Sequence, residues 1–292
     1  MRAVVVAACW RGEPGTGSPT VVVDDAGLSD EERARVPGDT GVSHAVFADR
    51  SGPVVRLRFF TAAGELPACG HGTLAACVAL EAWEHRAGRD TDEWRFAAGG
   101  REFSGGMTPE GAWFSAGVVR HRVPADAGPV LDALGAVPAG PVYAAGTARE
   151  RLLVPVAPDA LGPLAPDAGV LAAACDAAGL LGCFVYAPSR ARWFDARMFA
   201  PSIGVPEDAA NANSVAALAG VLAQDGPLRL VVSMGGSLGS PSRIRAEGFP
   251  AGDGSARVRL SARMGPARDL VSGFSVRGRT SRGRRGARSR RG

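Results

Sequence analysis

Two clusters of polar residues, each following an apolar segment and a Gly/Pro turn, contain the side chains that could transfer protons. The first cluster is residues 69–73, where His71 stands between two glycines, and the second is residues 208–214. A histidine and an aspartate that face each other across a substrate can act on it as acid and base. We therefore predict a proton-transfer site that uses both clusters, with His71 and Asp208 as catalytic residues.

Each cluster opens a segment with the pattern of an apolar helix. The first N–H groups of a helix have no partner within it and carry a partial positive charge, so they bind carboxylate or phosphate well. Glycine at such a position lets a ligand approach the backbone closely. We therefore expect a small-molecule carboxylate as the ligand, bound at the two helix starts by Gly70, Gly72, Thr73, Asn211, Asn213 and Ser214.

The elements around the clusters repeat in the same order. An apolar strand, a Gly/Pro turn, a polar cluster and an apolar helix occur first at residues 58–80 and again at residues 197–222. The helical runs 74–80 and 215–222 have no polar face, which predicts helices buried on all sides. Neither run is long enough to span a membrane. The repeat predicts two similar halves, each with a central helix wrapped by sheet and with the site between the halves.

The composition excludes several classes of enzyme. The 292 residues contain no lysine, since all 33 basic residues are arginine, and this excludes a Schiff-base lysine and a P-loop lysine. No GxGxxG motif follows a strand, which argues against a dinucleotide cofactor, and we expect no cofactor. The five cysteines form no CxxC pair, so the spacing predicts no metal site. Their odd number and the lack of a signal sequence predict a cytoplasmic protein with reduced thiols.

The C-terminal segment differs from the rest of the chain. Residues 277–292 contain eight arginines and no acidic residue, so the net charge of +4 conceals a body of about −4. This low-complexity segment is too polar to fold alone, and we predict a disordered tail over residues 266–292. Because no aromatic residues alternate with its arginines, a nucleic-acid partner is not expected.

An ordered set of motifs resembles the PhzF-like family of phenazine biosynthesis, within the diaminopimelate epimerase-like superfamily. Residues 17–19 (Gly-Ser-Pro) match a GNP element, and residues 42–47 (Val-Ser-His-Ala-Val-Phe) match an sET-F element. Residues 60–73 match an FT…E-P-CGHaT signature, residues 197–208 match an R-FaP…G-ED signature, and residues 239–242 match a late GRPS element. The resemblance implies an α+β fold with two barrel halves, residues 1–122 and 123–265, each a mixed sheet rolled around a buried central helix. It implies a cofactor-independent isomerase or epimerase of secondary metabolism, and a homodimer is compatible with it.

The departures from the family pattern leave alternatives open. The usual catalytic glutamate falls at His44, and the asparagine of the GNP element falls at Ser18, which we take as a substrate-binding residue. We predict that His44 faces His71 and Asp208 and acts as a base near pH 7. The alternative is a catalytically inactive binding homologue of the same fold.

A second alternative concerns Cys69, because Cys-Gly-His-Gly-Thr also resembles one half-site of proline racemase-like enzymes. Those enzymes need a second cysteine at the other helix, and residues 208–214 contain none. A dehydratase that uses one thiol therefore stays open. For Glu65 we predict a structural role in the turn.

Overall fold

The computed structural model, which describes residues 2–25 and 27–270, begins with a curved mixed sheet. Its eight strands are β1 (Ala3–Ala8), β2 (Ser18–Asp24), β3 (His44–Asp49), β4 (Val55–Thr61), β5 (Gly64–Leu66), β6 (Glu93–Ala98), β7 (Arg101–Thr108) and β8 (Gly111–Arg122). They are ordered β1-β2-β3-β4-β6-β7-β8, with β2–β3 and β4–β6 parallel and β5 paired to β4. Helix α1 (Asp30–Thr40) packs on its outer face, and α2 (Gly70–Arg86) lies inside its curve.

The second half is a closed barrel of eight strands. Its own strands are β9 (Tyr143–Gly146), β10 (Arg151–Pro155), β11 (Cys183–Arg190), β12 (Trp193–Ala200), β14 (Leu228–Met234), β15 (Ser242–Pro250) and β16 (Ala256–Ala262), and the short β13 (Val205–Asp208) pairs with β12. The ring runs β8-β16-β15-β14-β12-β11-β10-β9 and returns to β8. Helices α3 (Gly128–Leu134), α4 (Pro158–Leu161) and α5 (Ala168–Ala177) lie outside it, and α6 (Ala212–Leu222) lies inside.

The two central helices are buried on all sides, as predicted. Every residue from 70 to 80 in α2 is buried, and so is every residue from 214 to 221 in α6. Because side chains alternate across a strand, each barrel strand sends one set of side chains toward its central helix and the other toward the outer helices. Strand β10 shows this alternation clearly: Leu153 packs in the inner core, whereas Leu152 and Val154 pack in the outer one. None of the described helices is long and apolar enough to cross a membrane.

The pairing of strands crosses both predicted boundaries. Strand β8, assigned above to residues 1–122, pairs with β7 of the first half and with β9 and β16 of the second. The prediction that the disordered tail starts at residue 266 is wrong for residues 266–270, because β17 (Arg268–Asp269) pairs with the free edge of β1. The Leu270 N–H also donates to the Ala3 carbonyl at 3.0 Å. The rest of the predicted tail, residues 271–292, lies outside the described residues.

Candidate active site

The starts of helices α2 and α6 meet at the junction of the two halves. A Cβ atom at Gly70 would lie 2.7 Å from Ala212 Cβ and 2.9 Å from Asn213 Oδ1, so only glycine allows the two helices to approach this closely. A cavity lies where they meet. Its lining includes groups from both halves, and the predicted catalytic residues His44, His71 and Asp208 all belong to it. Each of the three is at most 6% exposed.

The two histidines are in direct contact. His44 begins β3, and its ring packs edge-on against the ring of His71, with 4.4 Å between the centroids and 88° between the planes. The Nδ1 atom of His44 lies 2.9 Å from the hydroxyl of Ser43. The Cys69 sulfur lies 3.6 Å from Nε2 of His71 and 3.7 Å from its Nδ1. His44, Cys69 and His71 therefore form one cluster beside the start of α2.

Asp208 is fixed by the loop that leads into α6. One carboxylate oxygen accepts the backbone N–H of Ala210 at 3.1 Å, and the other accepts a hydrogen bond from the Asn211 amide at 3.0 Å. The Asn211 side chain also caps α6, because its oxygen accepts the N–H of Ser214 at 2.9 Å. One asparagine therefore holds both the helix start and the Asp208 carboxylate.

The electrostatics of the site separate the protonation states of the two histidines. Burial and the positive charge of His71 lower the pKa of His44 to about 4. Burial alone would lower the pKa of His71, but its interactions with Cys69 and Asp208 outweigh burial and raise this pKa to about 9. Burial would raise the pKa of Asp208, but the two histidines and its hydrogen bonds hold this pKa below its usual value. At neutral pH, His44 is neutral, His71 is a cation and Asp208 is an anion.

The basicity of His44 differs from the one expected from the sequence. An exposed histidine titrates near pH 6.5, which is why His44 was expected to be a base near pH 7. In the fold, His44 is buried and touches a cationic ring, and both effects disfavour its charged form. A pKa of about 4 is close to that of an ordinary glutamate, about 4.3. His44 therefore has nearly the basicity of an ordinary glutamate but lacks its negative charge.

The predicted substrate-binding residues fall into two groups. Gly70, Asn211 and Asn213 line the cavity, and Thr73 lines an adjoining pocket that shares Cys69 and Asn213 with it. The remaining three, Ser18, Gly72 and Ser214, are not part of the cavity lining.

Local packing explains the positions of two of these three. Ser214 is fully buried, and its hydroxyl and N–H both donate to Asn211. A Cβ atom at Gly72 would lie 2.9 Å from Val46 Cγ2, so this glycine lets α2 pack on the sheet rather than admit a ligand.

An arginine–glutamate pair holds the turn before each helix. Arg58 on β4 binds Glu65 on β5 at 2.7 and 2.5 Å, and Arg197 on β12 binds Glu207 on β13 at 2.9 and 2.7 Å. The predicted structural role of Glu65 agrees with this geometry. Glu207 directly precedes Asp208, so the second pair also fixes the strand that carries the Asp208 carboxylate.

One group of donor atoms at the site could hold a metal ion. Among the described residues, one ligand atom from each of His44, Cys69 and His71 lies within 4.8 Å of the others. Metal-ligating residues at short, regular spacings along the chain are the signal that a sequence offers. This set lacks that signal, because the fold brings His44 to the other two residues from a separate strand.

Sequence reasoning also missed Arg151, which lines the same cavity and is only 4% exposed. Its one sequence signal is weak: an arginine opens the otherwise apolar strand β10. Whether that side chain faces the solvent or the cavity depends on the orientation of the strand in the barrel, and the sequence does not reveal this.

Comparison with known proteins agrees with this fold and site. A family model described as phenazine biosynthesis-like protein matches residues 9–99 and 125–264. An uncharacterized isomerase of Deinococcus radiodurans is 32% identical over 262 residues, covering 82% of this chain and 84% of the relative. The trans-2,3-dihydro-3-hydroxyanthranilate isomerase of Pseudomonas aeruginosa is 29% identical over 282 residues, covering 89% of this chain and 95% of that protein.

Solved structures share the architecture. The crystal structure of a PhzF-family phenazine biosynthesis protein from Bacillus anthracis superposes with a TM-score of 0.75 at 16% identity, covering 92% of this chain and 99% of the other. At this identity the likeness shows the fold, and the match of the family model over most of the sequence shows the family. The chain therefore belongs to the phenazine biosynthesis-like protein family, and it is an isomerase.

Proposed function

We propose that this isomerase moves a proton between two positions of a small carboxylate-bearing metabolite, without a cofactor and within secondary metabolism. The observation that carries the proposal is the meeting of His44, His71 and Asp208, from both halves of the chain, in one buried cavity. Buried groups with opposed pKa shifts at such a place are typical of acid–base catalysis.

Each group has a distinct role in the proposed reaction. Neutral His44 takes a proton from a carbon atom that a neighbouring carbonyl or π-system has acidified, and cationic His71 gives a proton to the second position. The Asp208 carboxylate stabilises the charged form of His71. Because the two rings touch, the proton gained by His44 can pass to His71 after turnover. One proton leaves the substrate and one returns, so the reaction is an isomerisation.

The experiment is incorporation of solvent deuterium, followed by NMR. The first compound to test is trans-2,3-dihydro-3-hydroxyanthranilate, the substrate named for a relative, and small carboxylic acids found by thermal-shift screening come next. We expect exchange with wild type, none with His44→Ala, and recovery with His44→Glu. Equal exchange by wild type and His44→Ala would show that His44 is not the base. No exchange with any bound ligand would instead favour a binding protein.

A further inference from the structure

We infer that Arg151 is the anchor for the carboxylate of the substrate, and this inference rests on the proposed function. Arg151 opens β10 and lies two residues before Leu153, whose side chain packs in the inner core beside α6. Alternation along a strand gives Arg151 the same inward face. Its side chain therefore enters the mouth of the second barrel, where it lines the cavity that contains His44, His71 and Asp208.

The charge of Arg151 lacks a partner within the described part of the chain. A guanidinium group has five N–H donors, but its one hydrogen bond here is a long one of 3.5 Å to the Ala145 carbonyl. The Nε atom is buried and has no partner at all. Burial and the nearby Arg149 lower the pKa of Arg151 to about 10, so the group stays charged at neutral pH.

A second buried arginine, Arg33, has the protein carboxylate partners that Arg151 lacks. Arg33 is 8% exposed and lies 2.8 Å from Asp25 and 2.7 Å from Asp30. Buried charges are expensive unless they are paired. Arg33 is paired by protein carboxylates and Arg151 is not, so the missing anion at Arg151 is expected to come from a ligand.

The surroundings of Arg151 are suited to an anion. The start of α6, through Asn211 and Asn213, lines the same cavity and adds a partial positive charge. The apolar residues Leu181, Ile203 and Val205 also line the cavity and lower its local polarity, which strengthens a charge-assisted hydrogen bond.

Space for the guanidinium comes from the neighbouring strand. A Cβ atom at Gly146 would lie 3.0 Å from Arg151 Nη1, so glycine makes room for the side chain. Asp208 is the acidic residue of the cavity lining, but Ala210 and Asn211 already hold its oxygens. A carboxylate bound at Arg151 would leave the rest of the substrate free to reach the two histidines.

The test measures ligand binding rather than turnover, by thermal unfolding with sodium propionate and sodium benzoate. Propionamide, benzamide, inorganic phosphate and sodium chloride at equal ionic strength serve as comparisons. We expect the carboxylates to raise the unfolding temperature of wild type by several degrees and the neutral amides to have no effect. Arg151→Met should abolish the shift, and Arg151→Lys should keep part of it.

A stability readout separates an anchor from a purely structural role. Removing an unpaired buried charge should keep or raise the unfolding temperature of the ligand-free protein, whereas Arg33→Met, which leaves the buried Asp25 carboxylate without its ion partner, should lower it. The proposal is overturned if Arg151→Met retains the carboxylate shift, if the variant loses stability as Arg33→Met does, or if phosphate but neither carboxylate stabilises wild type.

The same measurements separate this proposal from the proposed function. His44→Gln should bind the carboxylates as wild type does, although it cannot transfer a proton. Carboxylate binding through Arg151 without any deuterium exchange would refute the proposed function alone. If Arg151→Met still exchanges deuterium into a substrate and the KM for that substrate is unchanged, the role of Arg151 as anchor is refuted and the proposed function is not.

Discussion

His44 shows how burial can make two different side chains alike in basicity. An exposed imidazole would be protonated in mildly acidic solution, but in this cavity its neutral form persists down to a pH of about 4. His44 is therefore an unprotonated weak base at neutral pH, as an ordinary glutamate would be. Unlike a glutamate, it places no negative charge beside the ring of His71.

The lowered pKa of His44 predicts a pH dependence of stability. The unfolded chain gains a proton at this histidine near pH 6.5, whereas the folded chain gains it only near pH 4. The unfolded state therefore binds more protons between these values, and the free energy of unfolding must fall as the pH is lowered through this window. Urea unfolding at several pH values between 7 and 4 measures the fall.

Two variants make this prediction specific. His44→Gln should lack this part of the acid destabilisation, and the control variant His85→Gln, at an exposed position, should behave as wild type. Asp208 contributes separately: its pKa is lowered in the fold, so its stabilisation is lost only as the pH falls below about 3.8. A wild-type stability that stays constant from pH 6.5 to 4 would contradict the lowered pKa of His44.

Metal dependence can be tested at the same residues. We expect activity to survive prolonged chelation, because the proposed proton transfer uses only side chains. Excess Zn²⁺ should inhibit reversibly, since the Cys69 sulfur and His71 Nε2 are 3.6 Å apart, close to the separation of two ligands on one zinc ion. Inhibition should weaken in Cys69→Ser. If chelation abolishes activity and one added metal restores it, the cofactor-free mechanism is wrong.

At the scale of elements, the two strand-to-helix turns are each held by an arginine–glutamate ion pair, and the two pairs differ in burial. Both pair an arginine of a long strand with a glutamate of the short return strand, β5 or β13. The first pair is partly exposed, at 32% and 42% for the two side chains, and the second is nearly buried, at 13% and 12%. Arg197 also donates to the carbonyls of α4 and the loop after it, the closest being Leu164 at 2.6 Å.

This difference predicts unequal effects of one substitution. Arg197→Met leaves Glu207 buried without its partner and should lower the free energy of unfolding by about 3 kcal/mol. The matched variant Arg58→Met breaks two more exposed pairs, with Glu65 and with Asp30, and should cost about 1 kcal/mol. Urea unfolding measures both, and deuterium exchange should fall in Arg197→Met because Asp208 follows Glu207. Similar losses in the two variants would show that burial does not distinguish the pairs.

Much of this architecture could be predicted from local pattern. The two central helices are present as predicted from their apolar runs. A capping box of Ser29 and Glu32 begins α1, and the helix continues through Pro37 to Gly41, which has a left-handed φ of 68°. The return strands β5 and β13 were missed because three or four residues are too few to show alternation.

The candidate site could be predicted in part. His71 and Asp208 carry local signals, because His71 stands in the first turn of an apolar helix and Asp208 stands shortly before another. His44 came from the family pattern. The inward face of Arg151, the approach of His44 to Cys69 and the lowered pKa of His44 depend on barrel closure and burial. These properties arise from residues far apart in the chain, and no local pattern encodes them.

At the scale of the whole molecule, the two halves are one structure. Strand β8 belongs to both sheets, and the segment that follows β16 runs along β1, with the Gly265 N–H donating to Ala7 and the Trp10 N–H to Arg263 at 2.9 and 2.8 Å. Neither half has a complete set of strand neighbours without residues of the other. We expect a single cooperative unfolding transition that includes both.

Truncation tests this arrangement. Removing residues 277–292 should leave the unfolding temperature and activity nearly unchanged, because so polar a segment can bury little apolar area. Removing residues 264–292 should lower the unfolding temperature by several degrees, since the edge of β1 would lose its partner. Calorimetry of the two truncated chains gives the comparison. Equal unfolding temperatures would mean that residues 264–270 do not stabilise the first half.

The pairing of β1 with the segment after β16 also has a consequence during synthesis on the ribosome. Strand β1 emerges before the residues that cover its free edge, which are made more than 250 residues later. At about 5 to 20 residues per second, this edge stays unprotected for tens of seconds. An uncovered strand edge can pair with other chains. The nascent protein is therefore expected to depend on chaperones until its last strand has left the exit tunnel.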